Sequence, residues 1–414
     1  MPNPIDMKLK SAVISIGNEL LIGRTLNSNL AYLGAGMAEL GIPVAYSLTI
    51  QDDYEAIQKA VHECWQNYDV VISTGGLGPT QDDITKAAIA EYFGKDMHFC
   101  ENIWQHIQDR FAHRNVTMPL SNRSQAMVPE GFEALKNDRG TAPGLHYNTD
   151  GKHIFVLQGV PLEMRYMFEN YIKPILKQAY HEAKGLVVRN LHTYGIAESA
   201  LAELLDPKEL PEGVSLAWLP QTGRVDLRLY GEDAAAIEIA EQYLHRQTGD
   251  YVWGYEDTVP AEYLLQLLKK KEYSLAVAES CTGGLVQRFI TDIPGSSDVF
   301  LGGVVSYANR IKAELLKVDE SILRSFGAVS EECARAMAQG IQRLLRADVV
   351  VAVTGIAGPD GGSTDKPVGT VYYCWRIQDK EYALHKVFNG DRESIRYKAA
   401  EAAILELANT LRNE

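Results

Sequence analysis

The chain has 414 residues, 46% hydrophobic and 23% charged, with 40 Lys+Arg against 54 Asp+Glu and a formal net charge of −14. At roughly 150 residues per domain, this length predicts two or three domains. The composition excludes a disordered chain, a collagen, a disulfide mini-scaffold and a multi-span membrane protein. A net-acidic chain is also a poor general binder of nucleic acid, since phosphate contacts need clustered cations, although it leaves room for a small anion site.

Strand and helix signals alternate through the first part of the chain. Ser11–Ile16 is a short apolar run ending at Gly17, as a buried parallel strand would. Helical spacing follows over Asn29–Leu40, stopping at Gly41. A strand over Val44–Thr49, a helix over Tyr54–Gln66, a strand over Asp69–Ser73 and a helix over Ile84–Phe93 come next. His153–Leu157 reads as another strand, and Pro161 opens a helix towards Tyr180. This rhythm predicts a doubly wound α/β sheet. Around Gly185 it changes. Strands over Leu186–Thr193, Val214–Leu219 and the alternating Val225–Tyr230, with helices over Ala197–Leu205 and Ala234–Arg246, predict a small α+β module closed by a linker near Trp253–Pro260. The remainder reads as a second α/β unit. Its helix Ala261–Lys271 leads to strands over Ser274–Ala278, Val299–Ser306, Val349–Thr354 and Val368–Trp375. The start of a helix over Ile311–Leu316 and a final helix over Arg392–Leu411 complete it. The expected boundaries are 1–183, 184–255 and 256–414.

Glycine and polar residues cluster where strands end, which is where ligands bind in open α/β sheets. The first such loop, Gly17–Gly23, carries Glu19. The second runs Thr74, Gly75, Gly76, Leu77, Gly78, Pro79, Thr80, Gln81, Asp82, Asp83. Its glycines let N–H groups approach an anion. Thr80 can cap the next helix with Asp82 and Asp83 in its first turn; alternatively, the two carboxylates hold a hard divalent cation beside bound phosphate. The third loop is Glu279-Ser280-Cys281-Thr282-Gly283-Gly284. Ser280 is either an N-cap or a nucleophile with following N–H groups as oxyanion donors. The second role gains weight from Tyr307 and Lys312 after the next strand: a desolvated lysine can serve as base for serine, and a phenol can pass a proton to a leaving amine. Cys281 reads as a small buried thiol. The fourth loop, around Thr354, Gly355 and Gly358, is followed by Arg392 and Arg396 at the start of the last helix. Arginines oppose the dipole there, so a phosphate partner would explain them.

The five cysteines are odd in number and widely spaced, and form no C-x-x-C pair, so neither a zinc knuckle nor a disulfide framework is indicated. A reducing cytosol suits them. With no apolar core in MPNPIDMKLK and no run of ~18 apolar residues, the chain is expected to be cytoplasmic, with no membrane partner.

Taken in order, GNELLIG, STGGLGPTQDD, NDRGTAPGL, LQGVP, AESCTGG, SYANRIKAELL, TGIAGPDGG, KPVGTVY and FNGDR resemble the CinA family along essentially the whole chain. The resemblance implies a molybdopterin-binding-like domain, a KH-like insert and a C-terminal domain that hydrolyses the carboxamide of nicotinamide mononucleotide (NMN). In that last domain it implies catalysis by Ser280, Tyr307 and Lys312 without a cofactor. Thr282, Gly283, Gly284, Thr354, Gly355, Gly358, Arg392 and Arg396 are the expected NMN-binding residues. For the first domain it implies ADP-ribose hydrolysis to AMP and ribose 5-phosphate. Glu19, Thr74, Gly75, Gly76, Gly78 and Thr80 would bind that substrate, and Asp82 and Asp83 a Mg, Mn or Co ion. The expected partners are these small nucleotides and a second copy in a homodimer. The family name suggests DNA uptake or damage, but the charge and the absence of a G-x-x-G loop in the middle module argue against nucleic-acid contact. The alternative reading is a non-catalytic pterin or nucleotide binder in a competence- or damage-related adaptor.

Overall fold

The computed structural model describes residues 9–80, 83–114 and 116–414. The chain divides into two compact units, Met1–Val187 with Tyr230–Ala236, and Val188–Leu229 with Ile237–Glu414. Among the described residues no helix is long and apolar enough to cross a membrane.

In the first unit β1 (Ser11–Ile16), α1 (Ser28–Glu39), β2 (Val44–Ile50), α2 (Tyr54–Asn67), β3 (Val70–Thr74) and α3 (Thr85–Tyr92) follow the alternation expected from the sequence. Then come α4 (Glu101–His113), β4 (Glu133–Leu135), β5 (Gly144–Thr149) and β6 (Lys152–Leu157). The sheet order is β2-β1-β3-β6-β5-β4, parallel across the first four strands and antiparallel at β5 and β4. Alternate residues of β1 enter opposite cores, Ile14 with Ile57, Val61 and Ile89, and Val13 with Leu33, Met37 and Phe168. Helices therefore cover both faces, and side-chain caps start two of them: Asn27 accepts from Leu30 N, and Asp53 from Ala56 N. The long helix expected after Pro161 is present as Pro161–Met167, a π segment Phe168–Ile172 and Lys173–Ala179.

The middle module comprises β7 (Val187–Thr193), α5 (Glu198–Leu204), β8 (Ser215–Gln221), β9 (Arg224–Gly231), α6 (Ala234–Thr248) and β10 (Val252–Tyr255), in sheet order β8-β9-β7-β10. The expected linker near Trp253 is corrected here: β10 occupies its start, pairs antiparallel with β7, and buries Trp253 against the His192 ring at 5.1 Å.

The last portion runs α7 (Pro260–Lys271), β11 (Leu275–Glu279), α8 (Leu285–Thr291), β12 (Phe300–Val305), α9 (Asn309–Leu316), α10 (Glu331–Leu345), β13 (Val349–Gly355), β14 (Thr370–Ile377), β15 (Lys380–Val387) and α11 (Arg392–Asn413). Its sheet order is β12-β11-β13-β14-β15, with β12, β11 and β13 parallel and the other two antiparallel. α10 and β15 were not predicted from the sequence. α10 is the better marked of the two: Ser330 caps it by accepting from Cys333 N, and Ala334, Met337, Ala338 and Ile341 form its buried stripe. Inside this unit Arg224 on β9 bonds the Glu401 carboxylate of α11 and lies 3.2 Å from Asp226, all with little exposure, so the middle module and the last helix share a buried charged contact.

Candidate active site

β11, β12 and β13 end side by side, and their loops bring Ser280 and Lys312 together. Ser280 follows β11 directly, with its N–H donating to Val353 O at 2.9 Å, so the adjacent strand holds its backbone. Lys312 lies one turn into α9 and is 1% exposed. Its Nζ stands 2.9 Å from Ser280 Oγ, 2.7 Å from Ser306 O and 3.4 Å from Tyr307 O. Among the described residues no carboxylate forms an ion pair with it, and burial pushes its pKa down from the ordinary 10.5. A neutral amine there donates two hydrogens to the carbonyls and turns its lone pair to the serine hydroxyl, the arrangement of a general base beside a nucleophile.

The remaining expected residues around Ser280 are placed less uniformly. Tyr307 is 60% exposed, and its hydroxyl accepts from Arg392 Nη2 at 2.9 Å. The phenol thus belongs to the arginine, and Tyr307 reaches the lysine through its carbonyl. Arg392 Nη1 also donates to Gly358 O at 2.6 Å, and Arg396 Nη2 donates to Thr282 O at 2.8 Å. Both arginines therefore stitch the glycine loops together while keeping other N–H groups available. Thr354 spends its hydroxyl on Ala328 O at 2.7 Å. A Cβ on Gly355 would meet Thr370 O at 2.6 Å, so that glycine serves the close approach of its own strand pair. The expected oxyanion donors over Thr282–Gly284 are corrected in part: Gly283 N donates to Ser280 O at 3.1 Å and Gly284 N to Glu279 Oε2 at 2.9 Å, because the turn closes on itself. Burial pushes the Cys281 thiol up to about 12, which keeps it protonated and unsuited to attack.

The first unit carries a cavity of about 440 Å³ at the ends of β1, β2, β3 and β6. Gly75, Gly76 and Gly78 line it, as do the carboxylates of Glu19, Asp52, Asp83 and Glu163. Asp52, Gln158 and Glu163 were missed in the sequence, although each follows a strand end and Glu163 stands in a helix's first turn. Thr74 is buried at the end of β3. Gly75 (φ 113°) and Gly76 (φ 66°) are required by packing: an added Cβ would lie 2.1 Å from Ile16 O and 2.0 Å from Thr85 Oγ1.

Thr80 does not cap the following helix, which begins at Thr85. Asp83 instead folds into its own loop, accepting from Gly78 N at 2.6 Å, from Thr80 N at 2.8 Å and from the Thr80 hydroxyl. Asp82 lies outside the described residues. Among the described lining residues none is Lys, Arg or His. An oxygen-only donor set of this kind suits a hard divalent cation, while no three Asp, Glu, His or Cys side chains among the described residues converge on one point.

Two α/β sheets in different compact units, each with a polar site at its carboxyl strand ends, and an α+β module between them in the sequence describe the class of molecule. Comparison with known proteins places it further. Residues 12–178 match the model of a probable molybdopterin binding domain, 188–254 that of the damage-inducible protein CinA KH domain, and 257–411 that of the CinA C-terminal domain. A CinA-like protein of Gemmatimonas aurantiaca is 42% identical, with 97% of this chain and 96% of that protein covered. A putative competence-damage inducible protein of Desulforudis audaxviator is 41% identical, at 96% and 97% coverage. The chain belongs to the CinA family. Among solved structures, a competence/damage inducible protein of Agrobacterium tumefaciens is 38% identical over 37% of this chain and 93% of its own, with a TM-score of 0.35.

Proposed function

We propose that the C-terminal unit is an amidohydrolase of nicotinamide mononucleotide, releasing ammonia and nicotinate mononucleotide. The observation that carries this reading is the 2.9 Å contact between Lys312 Nζ and Ser280 Oγ in a buried setting, with no paired carboxylate among the described residues. Lys312 takes the serine proton as the Oγ–carbon bond forms at the carboxamide. Collapse of the tetrahedral intermediate breaks the carbon–nitrogen bond, and the departing nitrogen gains a proton to leave as ammonia. With Arg392 donating into its oxygen, Tyr307 is free to direct its own proton outward to that nitrogen. Water then cleaves the acyl-serine ester, its hydroxide going to the acyl carbon and its proton to Ser280 Oγ, and the proton that Lys312 took passes through solvent to the Tyr307 phenolate, so that amine and phenol both return to their starting forms. The spare N–H groups of Arg392 and Arg396 suit the substrate phosphate.

For the first unit, the cavity of glycine loop and carboxylates favours a second activity, metal-dependent hydrolysis of ADP-ribose. The lining carboxylates Glu19, Asp52, Asp83 and Glu163 would offer oxygen ligands to a divalent cation, though no three of them converge among the described residues, and the cation would supply charge neutralisation and polarisation of phosphoryl oxygens when bound. The chain's own part is to seat the pyrophosphate against Gly75, Gly76 and Gly78. Together the two activities would recycle fragments of pyridine nucleotides.

The test is incubation of purified protein with NMN and, separately, with ADP-ribose, each with and without chelator. Ammonia release indifferent to chelator, with AMP release abolished by it, is expected. Binding of both ligands without turnover would replace these readings with a binder or adaptor role.

A further inference from the structure

A buried carboxyl group next to the candidate nucleophile takes no part in the catalytic proposal. Glu279, the last residue of β11, is fully buried beside Ser280. Among the described residues it has no Lys, Arg or His in an ion pair. An ionised carboxylate in such a place is costly unless hydrogen bonds compensate it. Here they do. Oε2 accepts from Gly284 N at 2.9 Å and Val286 N at 3.2 Å, and Oε1 accepts from Gln287 N at 2.9 Å and Gln287 Nε2 at 3.1 Å. The same residue's carbonyl accepts from Ser306 N at 2.7 Å and Ser306 Oγ at 3.2 Å, while Ser306 O accepts from Lys312 Nζ at 2.7 Å.

The loop that needs this support is easily identified. Gly283 and Gly284 sit at φ 62° and 95°, a conformation glycine adopts without strain but does not by itself enforce. A carboxylate that collects the N–H groups of Gly284, Val286 and Gln287 supplies the missing rigidity. From one residue, the side chain fixes the turn after the serine, and the main chain fixes the strand end whose carbonyl holds the lysine.

We propose that Glu279 is a positioning residue of this centre: its carboxylate clamps the Ser280–Gly284 turn, and through Ser306 its backbone holds Lys312, so that hydroxyl and amine meet at bonding distance. The proposal rests on the amidohydrolase reading, and the experiment separates the two. Full-length wild type, Glu279→Gln, Glu279→Asp and Gln287→Leu are compared by circular dichroism, by kcat and KM for NMN, and by the rate at which a fluorophosphonate probe labels Ser280. Glutamine keeps the shape but turns an NH2 towards N–H donors. Folded Glu279→Gln is expected to lose about 10²-fold in kcat, as misplacement of reacting groups by an ångström does, with KM little changed and labelling slowed in parallel. Glu279→Asp and Gln287→Leu should fall between it and wild type.

A residue that merely stabilised the fold would lower the folded fraction and leave kcat per folded molecule, and the labelling rate, at wild-type values. That result in Glu279→Gln overturns the proposal. If Glu279→Gln does not fold, wild-type labelling in both other variants overturns it equally. A wild type that is labelled at Ser280 yet releases no ammonia from NMN overturns the substrate reading alone, and the labelling ratios still decide the role of Glu279. A wild type that is neither labelled nor active overturns both.

Discussion

Lys312 carries three hydrogens as an ammonium and two as an amine, and its surroundings offer two carbonyl acceptors and one hydroxyl. That count serves either form, because the serine hydroxyl can accept from the ammonium or donate to the amine; burial favours the amine. The neutral species increases as pH rises through the lowered pKa, so kcat for NMN should climb with pH along a single ionisation centred below 10.5. Lys312→Met should remove that limb together with the activity. Stability follows the same sign. Between the folded and unfolded pKa values the unfolded chain holds the extra proton, so wild type should gain stability as pH rises through this window. Denaturation midpoints of the Met variant should lack that rise. Ser280→Ala is expected to retain the fold and lose at least about 10³-fold in ammonia release, the scale set by removing a nucleophile from a coupled catalytic pair. At this scale the sequence was informative about Ser280 and Lys312, because strand–turn–helix punctuation marked both loops. It was uninformative about the Tyr307 phenol, whose partner is an arginine 85 positions away.

α9 presents Lys312 and α10 braces it. Gly340 in α10 lies so near that an added Cβ would stand 2.0 Å from Leu316 O, the last residue of α9. Glycine in a helix interior is otherwise unfavourable, so here close packing outweighs propensity. Gly340→Ala should destabilise the protein by about 1–3 kcal/mol through overpacking and should also depress NMN turnover, since the shifted helix carries the base. A thermal melt alongside kcat checks both. α10 went unpredicted even though its apolar spacing and Ser330 cap are plain in the sequence. The antiparallel strands β5 and β15 were harder, because a half-exposed pattern does not reveal which edge of a parallel sheet it will join. Likewise, Trp253 resembled linker only until its partner β7 was known.

At the level of the whole molecule, the two polar sites fall in different compact units. Chelator is therefore expected to abolish AMP release from ADP-ribose and spare ammonia release from NMN, while Ser280→Ala does the reverse; parallel assays of both products on one preparation check this. Within the second unit, Arg224 sits between Asp226 and Glu401 with little access to water. Arg224→Ala would leave the buried Glu401 carboxylate without its cation and Asp226 with only the His192 ring, 3.0 Å away, and a loss of about 3 kcal/mol is expected, read as a lower denaturant midpoint. Burial already pushes the Glu401 carboxyl up, with Arg224 opposing.

The sequence by itself determined the element rhythm, the family and the loops in which chemistry is to be sought, because these depend on local periodicity and on glycine and proline punctuation. Only the tertiary structure decided which groups within those loops meet. It turned Asp83 back onto its own loop, joined Tyr307 to Arg392, spent the Gly284 N–H on Glu279, and added Asp52 and Glu163 to the first cavity. The Tyr307–Arg392 contact spans 85 positions and the cavity lining gathers several strand ends, so both depend on strand order and register; the Asp83 and Gly284 contacts are local, but they depend on loop conformations that no periodic pattern encodes. The carboxylate of Glu279 also changes from an oddity at the end of an apolar strand into a clamp only when its four donors are seen around it.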